Sequence, residues 1–84
     1  MSIDPRHIRV GMDVVGIDGE QVGIVKAVRS MDFLVDRPLE RDVYVPLDAV
    51  QAIVDATASD SVDPRVILTI RANSVDGQHW PRPG

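Results

Sequence analysis

The chain has 84 residues, enough for one small domain with one core, since at this length roughly 60–65% of the unfolded surface can be buried. Thirteen acids against nine bases leave a net charge of −4, and the bases are scattered among aspartates, which argues against a continuous basic face for nucleic acid. Hydrophobic residues make up 44% and charged residues 26%, the balance of a folded globular chain rather than a disordered one.

Cysteine is absent, so neither disulfides nor thiolate chemistry are available, as suits a reducing compartment. Residues Met1 to Arg9 lack the apolar core of a signal peptide, and no apolar run approaches the ~20 residues that span a bilayer. The expectation is a cytoplasmic domain that engages neither membrane nor nucleic acid directly. Only Phe33, Tyr44 and Trp80 are aromatic. The core must therefore be aliphatic, and valine and isoleucine suit a pleated surface.

In chain order, Ser2 to Arg9 leads in, with a turn at Asp4-Pro5. Met12 to Ile17 and Gln21 to about Arg29 read as two strands joined by a two-residue Asp18-Gly19 turn, with positive φ expected at both central residues. Within the second strand the apolar phase shifts from Val22 and Ile24 to Val25 and Ala27, with Gly23 near its start; a bulge or sharp coil is expected. Ser30-Met31-Asp32 is a turn, and Phe33 to Val35 a short third strand.

Arg37-Pro38-Leu39-Glu40-Arg41 is a polar loop, followed by the strictly alternating Asp42-Val43-Tyr44-Val45 with Val43 and Val45 inward. Pro46 to Ala49 predicts one helical turn, because proline is well placed at a first helical position. Val50 to Asp55 is a fifth strand, Ala56 to Pro64 a loop, and Arg65 to Arg71 a sixth strand with Val66, Leu68 and Ile70 on one face. The tail, 72–84, has no periodicity and ends in Trp80-Pro81-Arg82-Pro83-Gly84. About six short strands and no ordinary amphipathic helix predict a single all-β domain, its core over about 8–71. Closing the sheet as a small barrel would remove exposed edges.

Chemistry-bearing patterns are sparse. His7 and His79 lie at opposite ends of the chain without a partner at metal or triad spacing. Ser2, Ser30, Ser59, Ser61 and Ser74 fall in loops or the tail, and none sits in a nucleophile elbow. Asp55, Asp60 and Asp63 cluster around one loop, but their spacing does not match a calcium loop, so solvation and turn-capping are expected. Asp32 and Asp36 share one face of the third strand and should face solvent opposite Phe33 and Val35. The glycines at 16, 19 and 23 precede no helix that could hold a phosphate. No metal, cofactor or catalytic residue is expected.

The interaction candidates are Arg37 and Arg41 in the polar loop, with Tyr44 beside them, because arginine and tyrosine are enriched at binding hot spots. The plainer expectation pairs Arg37 and Arg41 with Asp36 and Asp42 on a solvated loop. Trp80, the largest apolar side chain, is expected to pack on the barrel surface of its own chain or of a partner in a homodimer.

Gly11-Met12-Asp13-Val14-Val15, Asp18-Gly19, Val22-Gly23-Ile24-Val25 and Tyr44-Val45-Pro46-Leu47-Asp48-Ala49-Val50 together resemble the PRC-barrel superfamily. The order of hairpin, Tyr-Val-Pro-Leu and late tryptophan is most similar to a bacterial single-domain family of unknown function within or beside it. The likeness covers about Ile8 to Val54, and Val66 to Trp80 more loosely. Lys26 departs from it, standing where the closer family would carry an acid. The resemblance implies a small barrel with about six strands and a non-catalytic adaptor that binds a protein partner or itself. Two alternatives accompany it: a role in ribosome maturation through a ribosomal protein, by analogy of fold, and a small-ligand binder or enzyme at the barrel mouth.

Overall fold

Short valine-rich runs with a period of two become six strands among the described residues: β1 (Asp13–Val15), β2 (Gln21–Val28), β3 (Asp32–Asp36), β4 (Val43–Pro46), β5 (Val50–Val54) and β6 (Arg65–Leu68). The computed structural model describes residues 7–38, 40–54 and 64–83. The expected turn at Asp4-Pro5 and the loop bearing Asp55, Asp60 and Asp63 lie outside them, as do Leu39, Ser2, Ser59 and Ser61.

The strands form one sheet in the order β4-β3-β2-β1-β6-β5. Neighbours are antiparallel except β1 and β6, which run parallel with Val14 opposite Val66. The outermost strands, β4 and β5, are joined by a single 3-10 turn at Leu47–Ala49; the expected turn begins one residue later than Pro46, which is extended and closes β4. Two edges so closely tethered require the sheet to curl on itself, and the result is a small all-β half-barrel. Closure is partial: no ladder joins β4 to β5.

The core fills the concave side. Phe33, Leu68 and seven valines, Val14, Val25, Val35, Val43, Val45, Val66 and Val75, are almost wholly buried. Phe33 and Val35 point inward while Asp32 and Asp36 take the opposite face, in keeping with the two-residue alternation. Leu34 shares that outer face and is nonetheless buried, in register with Tyr44 on β4 and Ala27 on β2.

The first hairpin differs from its expected turn. Gly16 accepts a hydrogen bond from the Gly19 N–H at 3.0 Å and donates to the Glu20 carbonyl at 2.9 Å, so the loop has three residues, Ile17 to Gly19. Gly19 alone takes positive φ, at 85°; Asp18 keeps an ordinary φ, and its carboxylate accepts from the Glu20 N–H at 3.2 Å. A tight turn followed by one left-handed residue is the second common way to join twisted strands, and it needs one glycine rather than two permissive positions.

The phase shift in β2 is a bulge. Register against β3 slips between Val25 and Ala27, and register against β1 slips between Val14 and Val15. The slips let Val22 and Val25, three apart, both reach the core while β2 bends between two partners. At Gly23 any Cβ would collide with the Asp36 carbonyl and the Val35 side chain, so β3 approaches where only glycine fits.

The tail is ordered, which its lack of periodicity did not predict. It forms 3-10 turns at Ala72–Ser74 and Asp76–Gln78. These are too brief to print a helical period on the sequence. Ile70 accepts from the Ile17 N–H at 2.8 Å just beyond β1, Val75 enters the core, and Pro81 accepts from the Tyr44 N–H on β4 at 2.8 Å. The tail thus crosses the sheet from β6 to β4 and covers the β4 edge that barrel closure was expected to remove. No helix among the described residues is long and apolar enough to cross a membrane.

Candidate functional site

The tail meets strand β4 where the Tyr44 N–H donates to the Pro81 carbonyl, and meets the segment after β3 through Arg37 and Asp76. Arg37 and Arg41 share one recess there, while Tyr44 stacks with Arg29 and Trp80 packs on the core. Arg37 follows the last residue of β3 and turns inward, leaving only 6% of its side chain exposed. Its Nε donates to the Arg41 carbonyl at 2.8 Å and its Nη2 to Asp76 Oδ1 at 2.9 Å, with Glu40 Oε2 at 3.8 Å. Arg82 Nη2 donates to the same Asp76 oxygen at 3.2 Å. A buried guanidinium demands such partners, because stripping water from a charge costs several kcal/mol unless its donors are met.

The expected pairing of Arg37 with Asp36 and of Arg41 with Asp42 does not occur. Asp36 is exposed, and Asp42 accepts from Lys26 Nζ at 3.1 Å, which pushes the Lys26 amine up from its ordinary value by hydrogen bond and charge together. Register explains the exchange. Asp36 pairs with Ile24 on the outer face of the sheet, while Arg37 points to the tail side. The Arg41 side chain makes no hydrogen bond or ion pair among the described residues.

Tyr44 is half-buried on the outer face of β4, opposite Leu34. The Arg29 guanidinium carbon lies 3.8 Å from the centre of its ring, a cation–π stack. The same guanidinium forks onto Asp32 at 2.6 and 2.5 Å across the β2–β3 turn. That hydrogen bond holds the Asp32 carboxyl below the usual carboxylate range, and raises Arg29 in turn. Trp80 packs against the core cluster of its own chain, in cis, as one of the two expected arrangements requires.

Two shallow recesses open beside the Arg37–Asp76 bridge. One, of about 270 Å³, is lined by Arg37, Glu40, Arg41, Asp76 and Arg82. The other, of about 330 Å³, shares Arg37, Glu40 and Asp76 and adds Val22, Pro38 and Ala72 together with the polar Gln21 and Asn73. Asp76, which accepts from both Arg37 and Arg82, is the residue of this cluster that the sequence did not single out. It stands 39 positions from Arg37, and the buried Val75 beside it is the one local sign that this stretch docks.

His7 and His79 are both exposed, and His79 takes the left-handed conformation with φ 57°. Among the described residues no three metal-capable side chains gather. No protein-family model matches the chain, and no curated protein matches it in sequence.

Proposed function

We propose that the chain is a PRC-barrel-like domain that works as a non-catalytic protein-binding or self-associating module, docking through the edge where loop 37–41, β4 and the tail converge. The observation that carries the reading is the composition of that edge. The exposed Arg41 side chain makes no hydrogen bond or ion pair among the described residues, and Arg82 and Tyr44 stand partly exposed. Arg41 and Arg82 line one recess with the buried Arg37, and Trp80 packs on the core. Arginine and aromatic side chains on a preorganised base are the residue types that dominate binding energy at protein interfaces, because little order is lost when they dock. Arg37, Glu40, Asp76 and Arg82 are engaged with one another as ion pairs, an arrangement suited to holding a surface in shape rather than to moving protons.

The test is site-directed capture. A photo-crosslinking residue in place of Arg41 should join the chain to a second copy or to one partner protein in its native host, while the same residue at Gln51, exposed on β5, should not. Sedimentation velocity separates self-association from a foreign partner. Equal capture at both positions, or none at Arg41, overturns the assignment.

A further inference from the structure

The two recesses beside the Arg37–Asp76 bridge differ in chemistry, and the difference specifies a ligand. The first holds three guanidinium groups against two carboxylates, an excess of positive charge in a chain whose net charge is −4. Both Arg37 and Arg82 lean on one oxygen, Asp76 Oδ1, and Glu40 reaches Arg37 only at 3.8 Å. The Arg41 side chain makes no hydrogen bond or ion pair among the described residues, and Arg82, 43% exposed, has donors beyond the one Asp76 takes. The second recess shares the bridge as one wall and offers the apolar Val22, Pro38 and Ala72, flanked by Gln21 and Asn73, as another. The second recess, of about 330 Å³, stands at the lower bound of ordinary ligand sites, roughly 300–1,000 Å³, and the first, of about 270 Å³, just below it.

We infer that the paired recesses recognise a short segment of a partner protein in which an aspartate or glutamate adjoins an apolar residue. This inference rests on the protein-binding reading above and names the partner's chemistry. The planar guanidinium fork matches a carboxylate with two parallel hydrogen bonds. Arg37, held by the Arg41 carbonyl, loses little freedom when a ligand arrives and acts as a fixed wall between the acidic and apolar positions. A polyanion fits less well. Asp76 and Glu40 line the cationic recess and would repel a doubly charged phosphate, while the net negative charge of the chain opposes nucleic acid at longer range. A single carboxylate beside an apolar group carries half that charge and meets both penalties in smaller measure.

The experiment is a titration of the isotope-labelled protein with acetyl-Leu-Glu-amide, acetyl-Leu-Gln-amide and inorganic phosphate, followed by amide and arginine side-chain NMR. The glutamate dipeptide should give saturable shifts centred on Glu40, Arg41, Asn73 and Arg82, with the glutamine dipeptide binding about tenfold more weakly for want of the charge-assisted bonds. Arg41→Ala combined with Arg82→Ala should erase the preference for glutamate. Should that double variant unfold, Arg41→Ala alone, which removes no internal pair, should narrow the preference. Equal binding of the two dipeptides, absence of saturation, or phosphate saturating the same residues as tightly overturns the inference. If the crosslink at position 41 persists while the dipeptides fail, the ligand class falls and the protein-binding reading stands. If both fail, both fall.

Discussion

The Arg29–Asp32 pair and the Arg37–Asp76–Arg82 group are built from the same side chains and answer to different physics. Arg29 and Asp32 are three residues apart, face each other across a turn, and Arg29 is largely exposed. Whatever the fold does elsewhere, forming the hairpin brings them together. Arg37 and Asp76 are 39 residues apart, one is buried, and they meet only when the tail has crossed the whole sheet. The first pair decorates a structure that local interactions already specify. The second joins two segments that nothing local would hold, and it sits where the sheet would otherwise present a bare edge. An ion pair matters here for what it connects, more than for its geometry.

If that contrast is right, breaking the tail should cost most. Trp80→Ala removes the largest side chain packed against the core and should destabilise the fold by about 2–3 kcal/mol, somewhat less than a fully buried aromatic because Trp80 is half-exposed. Urea denaturation measures it, and hydrogen exchange at the Tyr44 amide should rise with it, since the Pro81 carbonyl that protects this amide follows Trp80 directly. A stability loss with unchanged protection at Tyr44 would separate the tryptophan from the edge it is held to cover.

Asp76→Ala comes next, at about 2 kcal/mol. Removing one partner of a buried pair costs about 3–5 kcal/mol when both members are enclosed. Asp76 is half-exposed and Arg37 keeps the Arg41 carbonyl, so a smaller loss is expected. Arg37→Leu combined with Asp76→Ala should recover part of it, because the orphaned charge leaves with its partner. Recovery in the double variant sharpens the comparison; a strictly additive loss would show that the two residues do not act as one unit.

How far each region could be read from the chain follows the same division. The strands were legible because valine alternation records a period of two wherever one face is buried, as in Val43-Tyr44-Val45. So was the 3-10 turn after Pro46, and so was the bend in β2, where Val22 and Val25 break the alternation beside Gly23. The hairpin was legible in place and not in detail: Asp18-Gly19 marks the turn, but whether one or two residues take positive φ depends on how the strands are staggered beyond it. The site was half-legible. Arg37 and Arg41 share one recess, whereas Tyr44 stacks with Arg29 and Trp80 packs on the core; Asp76, which joins Arg37 to Arg82, lies in a stretch whose 3-10 turns leave no periodic trace. Long-range partners of single charged residues carry no local signature; only the completed topology selects among the thirteen acids of the chain.

Gly19→Val tests the local side of the comparison. A β-branched residue forced to φ 85° is strained by about 1–2 kcal/mol, although nothing within 4 Å would touch the new Cβ. The loss should appear in the urea midpoint, with dipeptide binding by the tail-side recesses unchanged. Gly19→Asn should be milder, because asparagine tolerates the left-handed region. Equal stability of Gly19→Val and the parent chain would sink the assigned turn.

The smallest effect belongs to Arg29–Asp32, and its signature is its dependence on pH rather than its size. The Arg29 hydrogen bond lowers the Asp32 carboxyl in the folded chain, whereas the unfolded chain titrates near the ordinary value of about 3.9. Above that value Asp32 is ionised in both states and the pairing contributes in full. As the pH falls through the lowered folded value, protonation breaks the pair and the contribution is lost. Asp32→Asn should therefore lie below the parent chain in stability at about pH 7 and converge with it in acid, once the pH has fallen below the lowered folded value. Added salt should shrink the neutral-pH difference, since the guanidinium lies in solvent where counterions reach it. The Arg37–Asp76 pair should resist salt better, because one of its members is shielded. A salt response equal at both pairs would erase the distinction between a pair that ornaments the hairpin and one that fastens the tail.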